Sequence, residues 1–482
     1  MRLLEIVFVV VVAGLLIAQN VRGANRRLLV ALALTGLSTL LLTISMGQAR
    51  WQMTPAYLLL AVLSLSLLKR SSSHVAVRSL GVFFGTLLLA TATGASLGMP
   101  ILTLPAPDGP YVVGSTSFSL VEETRDNSFF DRPDEAREVY VQIWYPGAIV
   151  GGEPTKARTL WEELYRGDLD RFTAFSRYLR GIETHSYEDI RLSPQRARYP
   201  AIVFSHAMVS FAEQNTLLME HLASHGYVVL GISHPYTSMR VVSANGVAIY
   251  PDLDKVNEIS AQFRPVNDEL EPMIERAGSL EERMRLQLEL YERASGNNAL
   301  MAIWVDDLRF VLDSITTGPA SSPKLRAFSN HIDADRIGLL GMSFGGGAIT
   351  ELCKSDTRCR AGLNLDGPTF GQRQRQPLKA PYLALTRADQ NALDYLSKDS
   401  LSDYYQVAVQ GSKHLDFTDD AVVLPILKWL NVTGPLPGRR AIEITNAVSL
   451  RFFDAYLSDG PKPRLDDGFP ELTVATSPSV SE

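Results

Sequence analysis

Ser343 lies in the stretch Arg336-Ile337-Gly338-Leu339-Leu340-Gly341-Met342-Ser343-Phe344-Gly345-Gly346-Gly347, an apolar run of strand character ending in Gly-x-Ser-x-Gly. Residues 348–352 then read as a helix. In such a strand–turn–helix context the serine is lifted clear of the sheet edge on a tight, strained turn. Gly341 and Gly345 stand where a Cβ would collide with neighbouring backbone. Serine is a weak nucleophile at neutral pH and needs a base within hydrogen-bond reach, which an acid in turn must orient. The chain has eight histidines: His74, His185, His206, His221, His225, His234, His331 and His414. Of these, His331 precedes the elbow strand, at the opposite sheet edge, whereas His414 follows a later strand in a Gly/Ser turn and is the expected base. Asp366 and Asp389 each end a strand beyond the elbow, so either can supply the acid. Such a set would cleave a carboxylic ester through an acyl-enzyme.

The two cysteines, Cys353 and Cys359, flank a polar turn after the elbow helix. They read either as unrelated buried thiols or as a small disulfide loop, which requires an oxidising compartment. No Cys/His cluster has zinc spacing, and neither a metal nor a cofactor is expected.

A chain of 482 residues is too long for one ordinary domain. Residues 1–107 hold eight Lys/Arg and one acid, Glu5, a net +7; the whole chain is −6, so residues 108–482 carry −13. An acidic remainder argues against a nucleic-acid partner. Four apolar runs, near 3–18, 28–45, 56–68 and 80–99, predict a four-helix transmembrane anchor over residues 1–100. The third is short unless Trp51 and Tyr57 sit at the interface. A cleaved signal peptide fits poorly, because Arg22 occupies a position where a small residue is wanted. Arg22, Arg26 and Arg27 in the first loop, with Lys69, Arg70 and Arg78 in the third, place those loops in the cytoplasm. Four crossings then leave the remainder, including Ser343, on the extracytoplasmic side of a cell membrane.

Residues 101–110 read as a proline-rich linker. The catalytic domain is expected over 111–460, with strands at 111–120 and 138–145, a buried strand at 200–206, a helix at 214–224 and a strand from 226 to 232. Strand–helix–strand of this length means a right-handed parallel crossover. The domain is thus an α/β fold, a mostly parallel sheet with helices on both faces. Helical insertions are expected near 158–183 and 251–297, the latter helical from about 280 to 293. In the former, Trp161, Leu164, Tyr165, Leu169, Phe172, Phe175 and Tyr178 form an apolar stripe that suits core packing or a lipid-facing cap. Residues 461–482 read as a flexible tail.

The order Ser…Asp…His is that of the α/β-hydrolases. Gly341-Met342-Ser343-Phe344-Gly345-Gly346, Val203-Phe204-Ser205-His206-Ala207-Met208, Leu365-Asp366-Gly367 and His414 together resemble the platelet-activating-factor acetylhydrolase family, in its lipoprotein-associated and type II branch. The resemblance covers roughly 110–430. Parts of it also resemble bacterial dienelactone-hydrolase-type and polyester hydrolases. It implies a calcium-independent serine esterase acting on short or oxidised sn-2 acyl groups of phospholipids. It also implies Ser343 as nucleophile, Asp366 as acid, His414 as base, and backbone amides of Met208 and Phe344 as oxyanion hole. Asp389 stays as the alternative acid. Departures are Ala207 for a glycine, Met342 for a frequent histidine, and Gly367-Pro368 for an aromatic after the acid. A lipid or amphiphilic ester and a membrane are the expected partners; a general carboxylesterase and a catalytically silent receptor or scaffold are the alternatives.

Overall fold

A computed structural model describes residues 3–21, 23–46, 48–68, 75–99, 102–149, 151, 157–159, 182–243, 245–316, 323–388, 394–398 and 400–477. Two compact units emerge among the described residues: those up to 102 together with 424–426, and the others.

The first unit is helical, with helices Leu3–Asn20, Arg26–Ser45, Thr54–Ser66 and Val75–Gly98. Phe8, Val12, Leu15, Leu59, Leu60 and Leu89 pack inside it. Equally apolar side chains, among them Val10, Ile17, Leu41, Leu58 and Phe83, face outward. A helix that is apolar all round needs an apolar surround as well as an apolar core. Glu5 pairs with Arg50 at 3.2 Å, and both side chains are buried. Three segments, Leu3–Asn20, Arg26–Ser45 and Ser79–Gly98, are long and apolar enough to cross a membrane. Thr54–Ser66 has 13 residues, about 20 Å of helix against a hydrocarbon core of about 30 Å.

The second unit is built on strands β1 Val112–Asn127, β2 Arg132–Ala148, β3 Ala157–Thr159, β4 Glu183–Glu188, β5 Arg191–Leu192, β6 Tyr199–Ser205, β7 Val228–Ser233, β8 Val241–Val242, β9 Ala248–Ile249, β10 Ile332–Met342, β11 Ala361–Leu365, β12 Tyr382–Arg387, β13 Tyr404–Val409 and β14 Leu472–Ser477. The main sheet runs β14-β13-β12-β11-β10-β6-β7-β2-β1-β4-β3. Pairing is parallel from β7 through β6 and β10 to β13, and antiparallel at β7–β2, β2–β1 and β13–β14. The continuous apolar run Ala201-Ile202-Val203-Phe204 is buried on both faces, as a central parallel strand requires. Ala201 and Val203 join Trp304, Leu308 and Ile349 of helices Ser295–Thr316 and Phe344–Cys353 on one face. Ile202 and Phe204 join Leu218, Leu222 and Phe452 of helices Thr216–Ser224 and Gly438–Leu457 on the other. The alternation follows from the two-residue side-chain period of a strand.

Two expectations need correction and a third is extended. The insertion expected near 251–297 is helical, as Leu253–Arg276 and Leu280–Arg293, so helix also precedes residue 280. Pro265 and Pro272 lie inside the first of these helices and obscure its periodicity. Asp252 and Ser279 cap the two N-termini, accepting from the Lys255 and Glu282 N–H at 3.0 and 3.1 Å. The tail is not loose throughout, because Leu472–Ser477 closes the sheet edge against β13. The early strands also run further than expected, as one long hairpin of β1 and β2. The apolar stripe of the first insertion, 161–178, lies outside the described residues.

Candidate active site

Ser343 lies between β10 and the helix Phe344–Cys353, at the N-cap, with φ 54° and ψ −122°. This conformation is costly for a residue with a side chain and persists where its surroundings over-determine it. The Ser343 N–H donates to Leu365 O at 2.9 Å. A Cβ on Gly345 would strike the carbonyl oxygens of Ser205 and His206, so the helix can start this close to β6 only with glycine there.

Ser343 Oγ lies 3.0 Å from His414 Nε2, and His414 Nδ1 lies 2.6 Å from Asp366 Oδ2. The carboxylate accepts, so the Nδ1–H is fixed there and Nε2 keeps a lone pair toward the serine. Asp366 is 1% exposed and His414 36%. The acid is held by its neighbours: its N–H donates to Leu385 O at 2.8 Å, and its Oδ1 accepts from the Arg387 N–H at 3.2 Å. It too has positive φ, 51°. Asn364 closes the turn behind it, accepting from the Gly367 N–H at 2.8 Å and donating to Gly367 O at 3.1 Å. His414 opens a short turn after β13. Asp416 anchors that turn by accepting from the Lys413 and Gly434 N–H groups at 2.8 and 2.6 Å. Sequence reasoning missed Asn364 and Asp416; their signal, a polar side chain in a tight turn, is too common to single them out. Asp389 lies outside the described residues.

Met208 lies in the loop after β6. The amides on either side of it are tied down: Ala207 N–H donates to Gln214 Oε1 and Val209 N–H to Thr237 O, both at 2.8 Å. The Phe344 amide is in the first turn of its helix, where N–H groups have no intrahelical acceptor. Met208, Ser343 and Phe344 line one cavity of about 440 Å³. Most of its remaining wall comes from the helices of 253–293, Ile259 among them, and there Phe263 and Tyr291 meet Phe370 edge to face. Glu271 is also in the wall, its carboxyl pushed up by burial and by Glu275, against the pull of Arg387.

Beneath this loop is a second Ser–His–Asp chain. Ser205 Oγ lies 3.0 Å from His234 Nε2, and His234 Nδ1 lies 2.8 Å from Asp307 Oδ2. All three side chains are fully buried, so no substrate reaches this serine. His234 stacks on Trp304 at 3.9 Å, and Trp304 meets the edge of Phe344 at 4.9 Å. Burial pushes the His206 and His234 rings down, toward the neutral form, against the pull of Asp307 on His234. Burial also works to raise the Asp307 carboxyl, but Arg137, the His234 hydrogen bond and Arg125 outweigh it and hold it well below the usual range.

A doubly covered, mostly parallel sheet with a serine on a strained strand–helix turn defines an ester hydrolase of α/β-hydrolase type. A profile of the family described as platelet-activating factor acetylhydrolase, isoform II, matches residues 99–462. The chain belongs to that family. It is 23% identical over 383 residues to the platelet-activating factor acetylhydrolase of Cavia porcellus, covering 74% of this chain and 78% of that one. It is 23% identical over 401 residues to that of Gallus gallus, covering 77% and 87%. Among solved structures, a ferulic acid esterase from Streptomyces cinnamoneus superposes with a TM-score of 0.59 at 25% identity, over 78% of this chain and 99% of that one.

Proposed function

We propose that the protein is a serine hydrolase of lipid carboxylic esters, cleaving a short acyl group from a phospholipid as the names of its relatives suggest. The observation that carries the reading is the contact of Ser343 Oγ with His414 Nε2, backed by Asp366, in the wall of the cavity. Ser343 Oγ attacks the ester carbonyl while His414 Nε2 takes its proton, and Asp366 stabilises the imidazolium. The oxyanion forms beside the N–H groups of Met208 and Phe344. His414 returns the proton to the leaving alcohol. Water, activated by the same ring, then attacks the acyl-enzyme, and Ser343 Oγ leaves with its proton restored. A fluorophosphonate probe should label the wild type quickly and Ser343→Ala not at all; equal labelling overturns the reading.

A second reading, an esterase of smaller soluble esters, is favoured by the likeness to the ferulic acid esterase and by polar groups such as Glu271 and Gln287 in the cavity wall. Rates on a short-chain phospholipid and on an aryl ester of the same acid separate the two.

We further propose that residues 1–100 anchor the enzyme in a membrane through four helices, with 101–110 as linker and Ser343 outside the cytoplasm. The outward-facing apolar side chains support the anchor. The joined Cys353 and Cys359 support an oxidising compartment, hence an even number of crossings despite the short third helix. A cysteine placed at Ser72 should resist an impermeant label in intact cells and react once the membrane is opened. Ready labelling in intact cells reverses the orientation.

A further inference from the structure

Asp108, His221 and His225 meet away from the cavity, and the geometry points to a zinc site made of these three side chains. His221 and His225 are four residues apart at the C-terminal end of helix Thr216–Ser224, so they share a face. Their ring centroids are 4.6 Å apart. Asp108 comes from the proline-rich segment before β1. Its Oδ1 lies 3.1 Å from His221 Nδ1 and 3.7 Å from His225 Nε2. Candidate donor atoms of the three residues all lie within 4.8 Å of one another. Zinc–nitrogen and zinc–oxygen bonds of about 2.0–2.1 Å at tetrahedral angles put ligand atoms about 3.3 Å apart. The two separations measured from Asp108 lie on either side of that value.

The tautomer of His225 is set for ligation. His225 Nδ1 lies 2.9 Å from His221 O, so that nitrogen carries the hydrogen and donates it. Its Nε2 therefore holds the lone pair. Donation of the second ring N–H to a backbone carbonyl is the usual outer support of a metal-bound imidazole. Asp108 is placed by its neighbours. The Gly109 N–H donates to Ser224 Oγ at 3.2 Å and the Tyr111 N–H to Ser224 O at 3.0 Å. A Cβ on Gly109 would run into the Ser224 carbonyl, so the chain can lie this close only with glycine there. Asp108 itself is 78% exposed, which leaves a fourth position open to water. Two imidazoles and one carboxylate select zinc over magnesium or calcium, which prefer oxygen ligands.

The site does not serve ester cleavage. Helix Thr216–Ser224 follows β6 and runs back along the sheet, so its end lies at the strand edge opposite Ser343. The metal instead ties the segment preceding β1 to this helix. The sequence alone hides the set, since Asp108 is far from the two histidines until the chain folds.

The test uses the full chain in detergent, stripped with chelator, dialysed against dilute zinc chloride and assayed for metal content. The wild type should retain one zinc per chain, and its Tm should rise by roughly 3 °C with zinc. Asp108→Ala and His225→Ala should retain none and show no rise, while keeping wild-type esterase activity in zinc-free buffer. Asp108 is exposed, so its variant folds even if His225→Ala does not. A wild type that retains no zinc overturns the proposal. Equal retention by Asp108→Ala, or equal stabilisation by magnesium, overturns it too. Esterase activity is read separately in each sample, so failure of this site leaves the catalytic reading untouched.

Discussion

His234 Nδ1 lies 2.8 Å from Asp307 Oδ2 in a pocket that excludes solvent from both side chains. Arg137 completes the cluster, its Nη2 2.7 Å from the same oxygen and its Nε 3.0 Å from Oδ1. A buried guanidinium stripped of its carboxylate partner costs about 3–5 kcal/mol. Asp307→Asn should therefore unfold at clearly lower denaturant at pH 7. The carboxyl is held below its unfolded value of about 3.9. The unfolded chain thus binds the proton first as pH falls. The stability contributed by Asp307 is fully present above about pH 4 and is lost as pH drops toward the folded-state value. Asp307→Asn should lose less additional stability than the wild type between about pH 4 and pH 2. Parallel acid limbs in unfolding titrations would show that the charge is not what the cluster depends on.

The assignment of the acid is open to a direct contrast. Asp366→Asn keeps the shape beside His414 but takes away the charge that fixes the imidazole. By the triad precedent it should lower kcat on the order of 10⁴-fold. Asp389→Asn should leave kcat within about twofold, because the charge of Asp366 beside His414 is then untouched. The measurement is kcat on a soluble p-nitrophenyl ester for both purified variants. A collapse at 389 with a normal rate at 366 would hand the role to Asp389.

Residue type and order single out Ser343 and His414, because a Gly-x-Ser-x-Gly turn between strand and helix is a local pattern and one histidine follows it. The parallel sheet is legible for a similar reason: Ala201–Phe204 and Val228–Ile232 are short apolar runs bracketing a helix. Asp366 and Asp389 are not separable by pattern, since each follows a strand-like run in the sequence; only the turn closed by Asn364 aims Asp366 at the ring. The insertion near 251–297 is legible as helical, but the extent of Leu253–Arg276 is not, because that helix is polar on most of its surface and carries two prolines. The strand Leu472–Ser477 escapes because an edge strand buries little: Leu472 and Val474 pack against the core while Thr473, Ala475 and Thr476 are exposed. His234 and Asp307 meet only through the crossing of two segments far apart in sequence.

The cavity wall from the helices of 253–293 sets the next expectation. Ile259 is buried and lines the cavity with Phe263 and Tyr291. If the cavity holds the acyl chain, Ile259→Trp should lower kcat/KM for an octanoyl ester about tenfold more than for an acetyl ester, the scale on which a filled pocket discriminates. Equal losses on both esters would place the acyl chain elsewhere.

Cys353 and Cys359 are joined across a separation of six residues, between the end of the elbow helix and the start of β11. Both sulfurs are buried. Closing so short a loop removes little freedom from the unfolded chain, about 2 kcal/mol in the chain-entropy account. The bond lies at the far end of the helix from Ser343, so its loss should leave the rate at room temperature unchanged. A chain of this size commonly unfolds irreversibly on heating, and the useful readout is then the half-life of activity. The double variant Cys353→Ser with Cys359→Ser should lose activity faster than the wild type at elevated temperature. Reductant should shorten the wild-type half-life to that of the variant and leave the variant unaffected. A wild type indifferent to reductant, with free thiols on alkylation after denaturation, would mean that the pair is reduced in the isolated protein. The argument for an oxidising compartment would fall with it, and with that the even number of membrane crossings.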